Sequence, residues 1–368
     1  MKLLYNLSFL LFLVPALALA GNGKGKYTKS KKLSQEYALA ADGLLKISNS
    51  FGNVTIATWD QPQVTFDITV EVSGDNEDKV DDRLRNIDIR FSTSDGYVEA
   101  RTKTDDNNYS NDSWSFWDLF KSNSNNSSSG NLKINYVVRM PVTARLDITN
   151  DYGAIILDKL EGKADISCDF GRLDIGQLLA QDNELSFDYT KNSNIDYMKS
   201  GLIKADFSDF DLYGCDKLEF RGDYTKARLH KTTLLDFNSD FSTVISDESS
   251  RITGRGDYST IRFGNVAEIL ELTTDFGTIK VDELGPEIKS VLIRSDYTGI
   301  TLGYNSQASF NFDIDTEFAS IKVSEDLEIR RSENDHTEKR LSGFAKNQNS
   351  GNTINIKSEF GGVSLKMN

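Results

Sequence analysis

The stretch Phe220–Phe263, FRGDYTKARLHKTTLLDFNSDFSTVISDESSRITGRGDYSTIRF, holds one small pattern three times. An acidic residue is followed by an aromatic at Asp223-Tyr224, Asp240-Phe241 and Asp257-Tyr258. Phe220 and Phe237 stand four residues before their aromatic, and Ile261 and Phe263 stand three and five after theirs. Apolar residues spaced by two mark an extended strand. The inward phase is even before the aromatic and odd after it, so the alternation slips there by one residue. A strand that slips phase beside a small residue turns a corner.

The same pattern runs outward in both directions. It reads Asp151-Tyr152, Asp169-Phe170, Asp188-Tyr189 and Asp206-Phe207 before this stretch, and Asp275-Phe276, Asp296-Tyr297, Glu317-Phe318 and Glu359-Phe360 after it, with an outlying Ser50-Phe51. Aromatics from Tyr152 to Phe318 follow at 17 to 21 residues, and the last interval, 318 to 360, is 42. The residue two before the aromatic is usually small, and the one after it is Gly, Ser, Thr or Ala. Units this short cannot bury their apolar positions alone. Stacked in register they bury them against each other, the logic of a parallel β-solenoid. The expected fold is therefore all-β, a parallel β-solenoid (β-helix) with about 17–21 residues per repeat over 146–368. An antiparallel sandwich with regular turns fits the near-constant columns less well.

The two Arg-Gly-Asp tripeptides, at Arg221 and Arg255, invite a receptor-binding reading. Each of their residues falls in a column of the repeat: Arg in the polar column three before the aromatic, Gly in the small column, Asp in the acidic column. The tripeptides are expected to belong to the fold.

Residues 1–20, MKLLYNLSFLLFLVPALALA, read as a signal peptide, with Lys2, an apolar run and the cleavage triplet Ala18-Leu19-Ala20. No later stretch reaches the roughly 18 apolar residues that cross a bilayer. The chain is expected to be exported, periplasmic or extracellular at the cell surface, with no transmembrane segment. A net charge of −14 argues against nucleic acid as a partner. Two cysteines exclude a disulfide scaffold, and two histidines leave little for a zinc site or a His-based catalytic pair. Residues 21–36, with five lysines between Lys24 and Lys32, read as a flexible basic leader.

Residues 37–145 read as an N-terminal β-rich cap, which a solenoid needs to cover its open end. Val64, Phe66, Ile68, Val70 and Val72 alternate over a long strand, and Asp75 is placed to cap a helix carrying Val80, Leu84 and Ile87 on one face. Within the cap, 105–130 reads as a disordered loop enclosing Trp114, Phe116, Trp117, Leu119 and Phe120. Those aromatics either fold back on the cap or rod or form an exposed apolar patch; in the second case they are the candidate binding residues, for a protein or glycan of the envelope or surface or for a membrane surface. Residues 331–350 lack the corner motif and read as an inserted loop or irregular turn.

The one constellation with chemical potential is the acidic column. Like charges near 4.8 Å repel by roughly 0.9 kcal/mol per pair even in water, so something must offset them. Asp accepting a backbone N–H two residues on would fix the corner. Neutralisation by lysines and arginines beside the row, or calcium bridging it, are the alternatives, but the calcium nonapeptide pattern is absent. No cofactor and no metal is the expectation, and no carboxylate pair stands out as catalytic.

The stretch ISNSFGNVTIATWDQPQVTFDITVEVSG from Ile47, with NEDKVDDRLRNIDIRF behind it, resembles a family of exported bacterial proteins labelled "putative adhesins", as do ITNDYGAI from Ile148 and IKSEFGGV from Ile356. The resemblance covers nearly the whole chain after the signal. It implies a right-handed β-solenoid in the cell envelope, no catalytic residues, and a setting beside sigma/anti-sigma regulators. This chain departs from the family in placing Ser, Thr or Ala where a corner Gly is usual in seven of twelve copies, which is expected to leave a less tight corner. The expected function is a non-enzymatic interaction or structural module. The alternatives are a carbohydrate-active solenoid enzyme and an envelope-stress sensing partner.

Overall fold

The computed structural model describes residues 25–104 and 131–368. Trp114, Phe116, Trp117 and Phe120 lie outside the described residues. The chain is all-β, and its strands are mostly parallel. It divides into two compact units, one ending at Arg172 and one beginning at Leu173.

In the first unit the strands Leu44–Ser50 and Val54–Trp59 meet at the corner residue Phe51. Leu44–Ser50 lies between two parallel neighbours, Tyr97–Thr104 and Arg145–Asp151. Val54–Trp59 likewise lies between Asn131–Pro141 and Ala154–Leu160. Alternate residues point inward, so Leu45, Ile47, Val54, Ile56, Ile148 and Ile155 are buried. The outer strands run antiparallel: Gln63–Gly74 pairs with both Asn131–Pro141 and Tyr27–Ala38. The basic leader is thus largely a strand. Lys29 and Lys31 are themselves half-buried, and pairing along Gln63–Gly74 with twelve backbone partners fixes a segment whose composition alone suggests flexibility. The helix spans Glu77–Asn86 and its N-cap is Asn76, whose side chain accepts from the Lys79 N–H. Asp75, expected to cap it, instead accepts from the Lys26 N–H and ties down the first strand.

In the second unit the long strands Ser193–Lys204, Asp209–Arg221, Lys226–Asn238, Thr243–Arg255 and Thr260–Asp275 each pair parallel with the next. Lys226 faces Thr243 and Phe220 faces Phe237, so equivalent positions stack. Leu212, Leu229, Ile252, Ile261 and Leu270 lie at most 1% exposed along the interior. Gly254 occupies the position held by Phe220 and Phe237 because Phe237 fills its space: a Cβ on Gly254 would lie 2.0 Å from the Phe237 ring.

Coil order departs from chain order at the end of this unit. Thr353–Glu359 lies between Ser290–Asp296 and Phe310–Glu317, parallel to both. Val363–Met367 lies between Gly299–Tyr304 and Ile321–Val323 in the same way. The coil last in sequence is therefore next to last in the stack. Residues 331–350 are not an irregular loop: Glu328–Asn334 and Glu338–Ala345 form an antiparallel hairpin, and its second strand pairs along the outside of Phe310–Glu317. Glu328–Asn334 is exposed throughout and heavily charged, which blunts a free sheet edge.

Candidate functional site: a ladder of exposed rings

Every corner aromatic adopts a left-handed backbone. Values of φ run from 49° at Tyr297 to 67° at Phe51, and the set is Phe51, Tyr152, Phe170, Tyr189, Phe207, Tyr224, Phe241, Tyr258, Phe276, Tyr297, Phe318 and Phe360. Residues with a Cβ avoid this region at a cost of order 1–3 kcal/mol each. The corner is thus made by the aromatic itself, not by the small residue beside it. Left-handed geometry turns the ring outward, where it meets its counterpart one coil away.

In the first unit Phe51, Tyr152 and Phe170 stack at 5.1 Å between centroids. In the second, Tyr189, Phe207, Tyr224, Phe241, Tyr258, Phe276 and Tyr297 stack successively at 4.8–5.0 Å, with planes within 5° of parallel. The out-of-order coil keeps the ladder intact, because Phe360 sits 4.6 Å from Tyr297 and 4.9 Å from Phe318. Strand spacing sets the ring spacing, and each stacked pair contributes about 0.5–1.5 kcal/mol against the backbone strain. From Phe170 to Phe360 the rings are 44–58% exposed. Their faces are occupied by neighbours, so they present edges. In the second unit Tyr and Phe alternate from Tyr189 to Phe360, so tyrosyl hydroxyls recur at every second ring there, and the last neighbour, Phe318, is again a phenylalanine.

Beside the rings runs the acidic row. The carboxylate of Asp188 accepts from the N–H of Asp206, and the relation repeats through Asp223, Asp240, Asp257, Asp275 and Asp296 at 2.7–3.1 Å. The carboxylates bridge coils; they do not fix the turn within one coil as the sequence suggested. Hydrogen bonds to a charged acceptor stabilise by about 1.5–3 kcal/mol, which exceeds the repulsion along the row. Aspartate has the reach for this contact, and the longer Glu317 and Glu359 take the position only at the end of the stack. In the first unit burial and the neighbouring Asp169 hold the Asp151 carboxyl above its ordinary value. Among the described residues no group of three His, Cys, Asp or Glu side chains is arranged to hold a metal ion.

A third row lies inside the corner. Ser208, Thr225, Ser242 and Ser259 each donate to the carbonyl of the Asp two residues earlier, at 2.8–3.1 Å. Each hydroxyl also accepts an N–H from the coil before: Thr190 to Ser208, Ser208 to Thr225, Thr225 to Ser242, Ser242 to Ser259. These residues do not loosen the corner, as their replacement of glycine had implied. They bond it from within.

The Arg-Gly-Asp tripeptides are absorbed by the same rows. A Cβ on Gly222 would lie 1.9 Å from the Ala205 carbonyl oxygen, and Asp223 is engaged with Asp240. Arg221 pairs with Asp236 at 2.7 Å and with Glu219 at 3.1 Å. An open groove of about 460 Å³ follows this face, lined by Asp206, Asp223 and Asp240 with Lys204, Arg221 and Asn238.

Sequence reasoning missed one cluster. His230 lies between Asp247, at 2.9 Å, and Asp211, at 3.3 Å, with its ring stacked 4.5 Å from Tyr213. The signal was present in the spacing: Tyr213, His230 and Asp247 are equivalent positions of successive units. Cys168 and Cys215 are free and buried, and burial pushes both thiols up to about 12.

No family model and no curated protein sequence matches the chain. Solved structures similar to it include a "putative cell adhesion protein" from Clostridium sporogenes, 10% identical, covering 92% of this chain and 100% of that one, with a TM-score of 0.17. A "putative adhesin" from Bacteroides fragilis is 10% identical over 92% of this chain and 97% of its own, at a TM-score of 0.27. Another from Parabacteroides distasonis is 11% identical over 74% and 93%, at 0.32. Among the described residues no helix is long and apolar enough to cross a membrane.

Proposed function

We propose that the protein is a non-enzymatic, exported module of the bacterial cell envelope, adhesin-like in that it works by contact. In this reading its coils form a right-handed parallel β-solenoid of 17–21 residues per repeat. The observation that carries the proposal is the ladder of the second unit: nine rings locked at left-handed corners, edges outward, bordered by a fixed row of carboxylates. Such a strip is an exposed apolar surface with periodic hydroxyls and charges, suited to an extended partner, protein or glycan. Its rigidity lowers the ordering cost of binding.

The test replaces Tyr224, Phe241 and Tyr258 together with Asn, which tolerates the left-handed backbone while removing the rings. Retention of the labelled protein on envelope extracts and immobilised glycans is expected to fall at least tenfold, with an unchanged far-UV spectrum. Unchanged retention would overturn the assignment. Release of products from an acidic polysaccharide would replace it with the enzymatic reading.

A further inference from the structure

The out-of-order coil occupies a slot whose two walls are already matched to each other. Ser290 and Asn311 face the same residue, Thr353, from opposite sides; Asp296 and Glu317 both face Glu359. On the second strand of the coil, Ile300 and Ile321 both face Val363, and Leu302 and Val323 both face Leu365. Removal of 353–367 would therefore bring the walls together in register, with Tyr297 meeting Phe318 in place of Phe360. Among the described residues the coil joins the rest of the unit through the stretch after Ala345, which carries left-handed residues at Lys346 and Gly351.

Two buried hydroxyls mark the slot as imperfectly satisfied. Among the described residues three buried side-chain polar atoms lack a hydrogen-bond partner, and two of them are here: Thr316 on the wall and Ser364 on the coil. On the opposite wall Ser295 bonds to Ser358 of the coil at 3.2 Å. Ser295 and Thr316 are the equivalent positions either side of Ser358, so closing the slot would give Thr316 the partner it lacks.

We propose that 353–367 is an exchangeable coil: it leaves the slot, which closes behind it, and it fills the same slot in a second copy of the chain. The second copy is the fitting acceptor because the slot is complementary to this coil at every column, from Ile354 and Ile356 inside to the Phe360 ring outside. Exchange of an identical element is a low-cost route to association, and this one leaves the ladder of each copy unbroken. The inference does not depend on what the ladder binds.

Four cysteine variants of the full chain test it, against a low background because Cys168 and Cys215 are buried and weakly ionised. Ser295→Cys with Ser358→Cys in one chain is the control and should oxidise within the chain. Chains carrying only Ser295→Cys, mixed with chains carrying only Ser358→Cys, should form an interchain disulfide at twice the chain mass, increasing with time and concentration. Ser295→Cys with Thr316→Cys should also oxidise, although the inserted coil holds these positions two strands apart, beyond disulfide reach. Complete closure of the control with no interchain product would overturn the exchange. Failure of the Ser295→Cys/Thr316→Cys chain to oxidise would overturn the closing of the slot.

Discussion

In the first unit the inside of each corner is filled from the strand that leads into it. Asn49, Asn150 and Cys168 stand two residues before their aromatics and reach across: Asn150 donates to the Gly52 carbonyl, Asn49 to that of Ile134, and Cys168 approaches that of Gly153. The residue after the aromatic is then glycine, at Gly52, Gly153 and Gly171. In the middle of the second unit the filling comes from the other side. Ala205, Gly222, Ser239 and Gly256 are small, and Ser208, Thr225, Ser242 and Ser259 supply the hydroxyl. In the first unit the two positions compete for one space. A Cβ on Gly153 would come within 3.1 Å of the Asn150 amide, and one on Gly171 within 2.7 Å of the Cys168 sulfur. Ser358 with Gly361 repeats the first solution inside the second unit, its hydroxyl donating to the Gly361 carbonyl. Phe187 with Thr190 follows neither, and nothing in the structure explains it. A corner thus takes a polar group of limited volume on its inside from either flank, and where both groups are small hydroxyls, as at Ser239 with Ser242 and Ser295 with Thr298, from both.

Filling both flanks of a first-unit corner at once should have the largest effect. Gly153→Ser places a Cβ 1.9 Å from the Gly52 carbonyl oxygen, and overpacking of this kind should cost about 3 kcal/mol in urea unfolding. Emptying one flank should cost less. Asn150→Ala strips two hydrogen bonds from a fully buried amide, about 2 kcal/mol, whereas Ser242→Ala leaves the Thr225 N–H unpaired, about 1 kcal/mol. A larger loss for the serine than for the asparagine would show that the two solutions are not equivalent.

The smallest effect concerns the acidic row of the first unit. The folded chain holds the Asp151 proton more tightly than the unfolded chain, so the group's contribution improves as pH falls from neutrality through its raised folded value. It levels off below the ordinary value of 3.8. Asp151→Asn should therefore raise the melting temperature slightly at pH 7, with the advantage fading as the pH falls through the raised folded value and gone below 3.8. An advantage that persisted in acid would point to packing instead of charge.

Much of this was legible in the acid-aromatic spacing: the columns, the parallel strands and the structural role of the tripeptides. The left-handed aromatic was not, because phase slip reports that a corner exists without saying which residue bends. Two small-residue columns were visible, but their compensation was not, since it lives in the contact between Asn150 and Gly153 across the bend. The coil order was hidden for a related reason. Glu359 matches Asp296 and Glu317 equally well, so column chemistry fixes register without fixing sequence of stacking. The hairpin 328–345 and the strand Tyr27–Ala38 were obscured by charge, which on a sheet edge carries no apolar period.

The constant offset through the middle of the second unit has an arithmetical consequence. Lys226 faces Thr243 and Asn238 faces Arg255, each 17 residues on in the chain. Excising residues 226–242 would splice Thr225 onto Thr243 and return every remaining side chain to an equivalent seat. Length in this molecule is counted in whole storeys, and a lineage could shorten or extend it by duplication and deletion without redesigning a single floor.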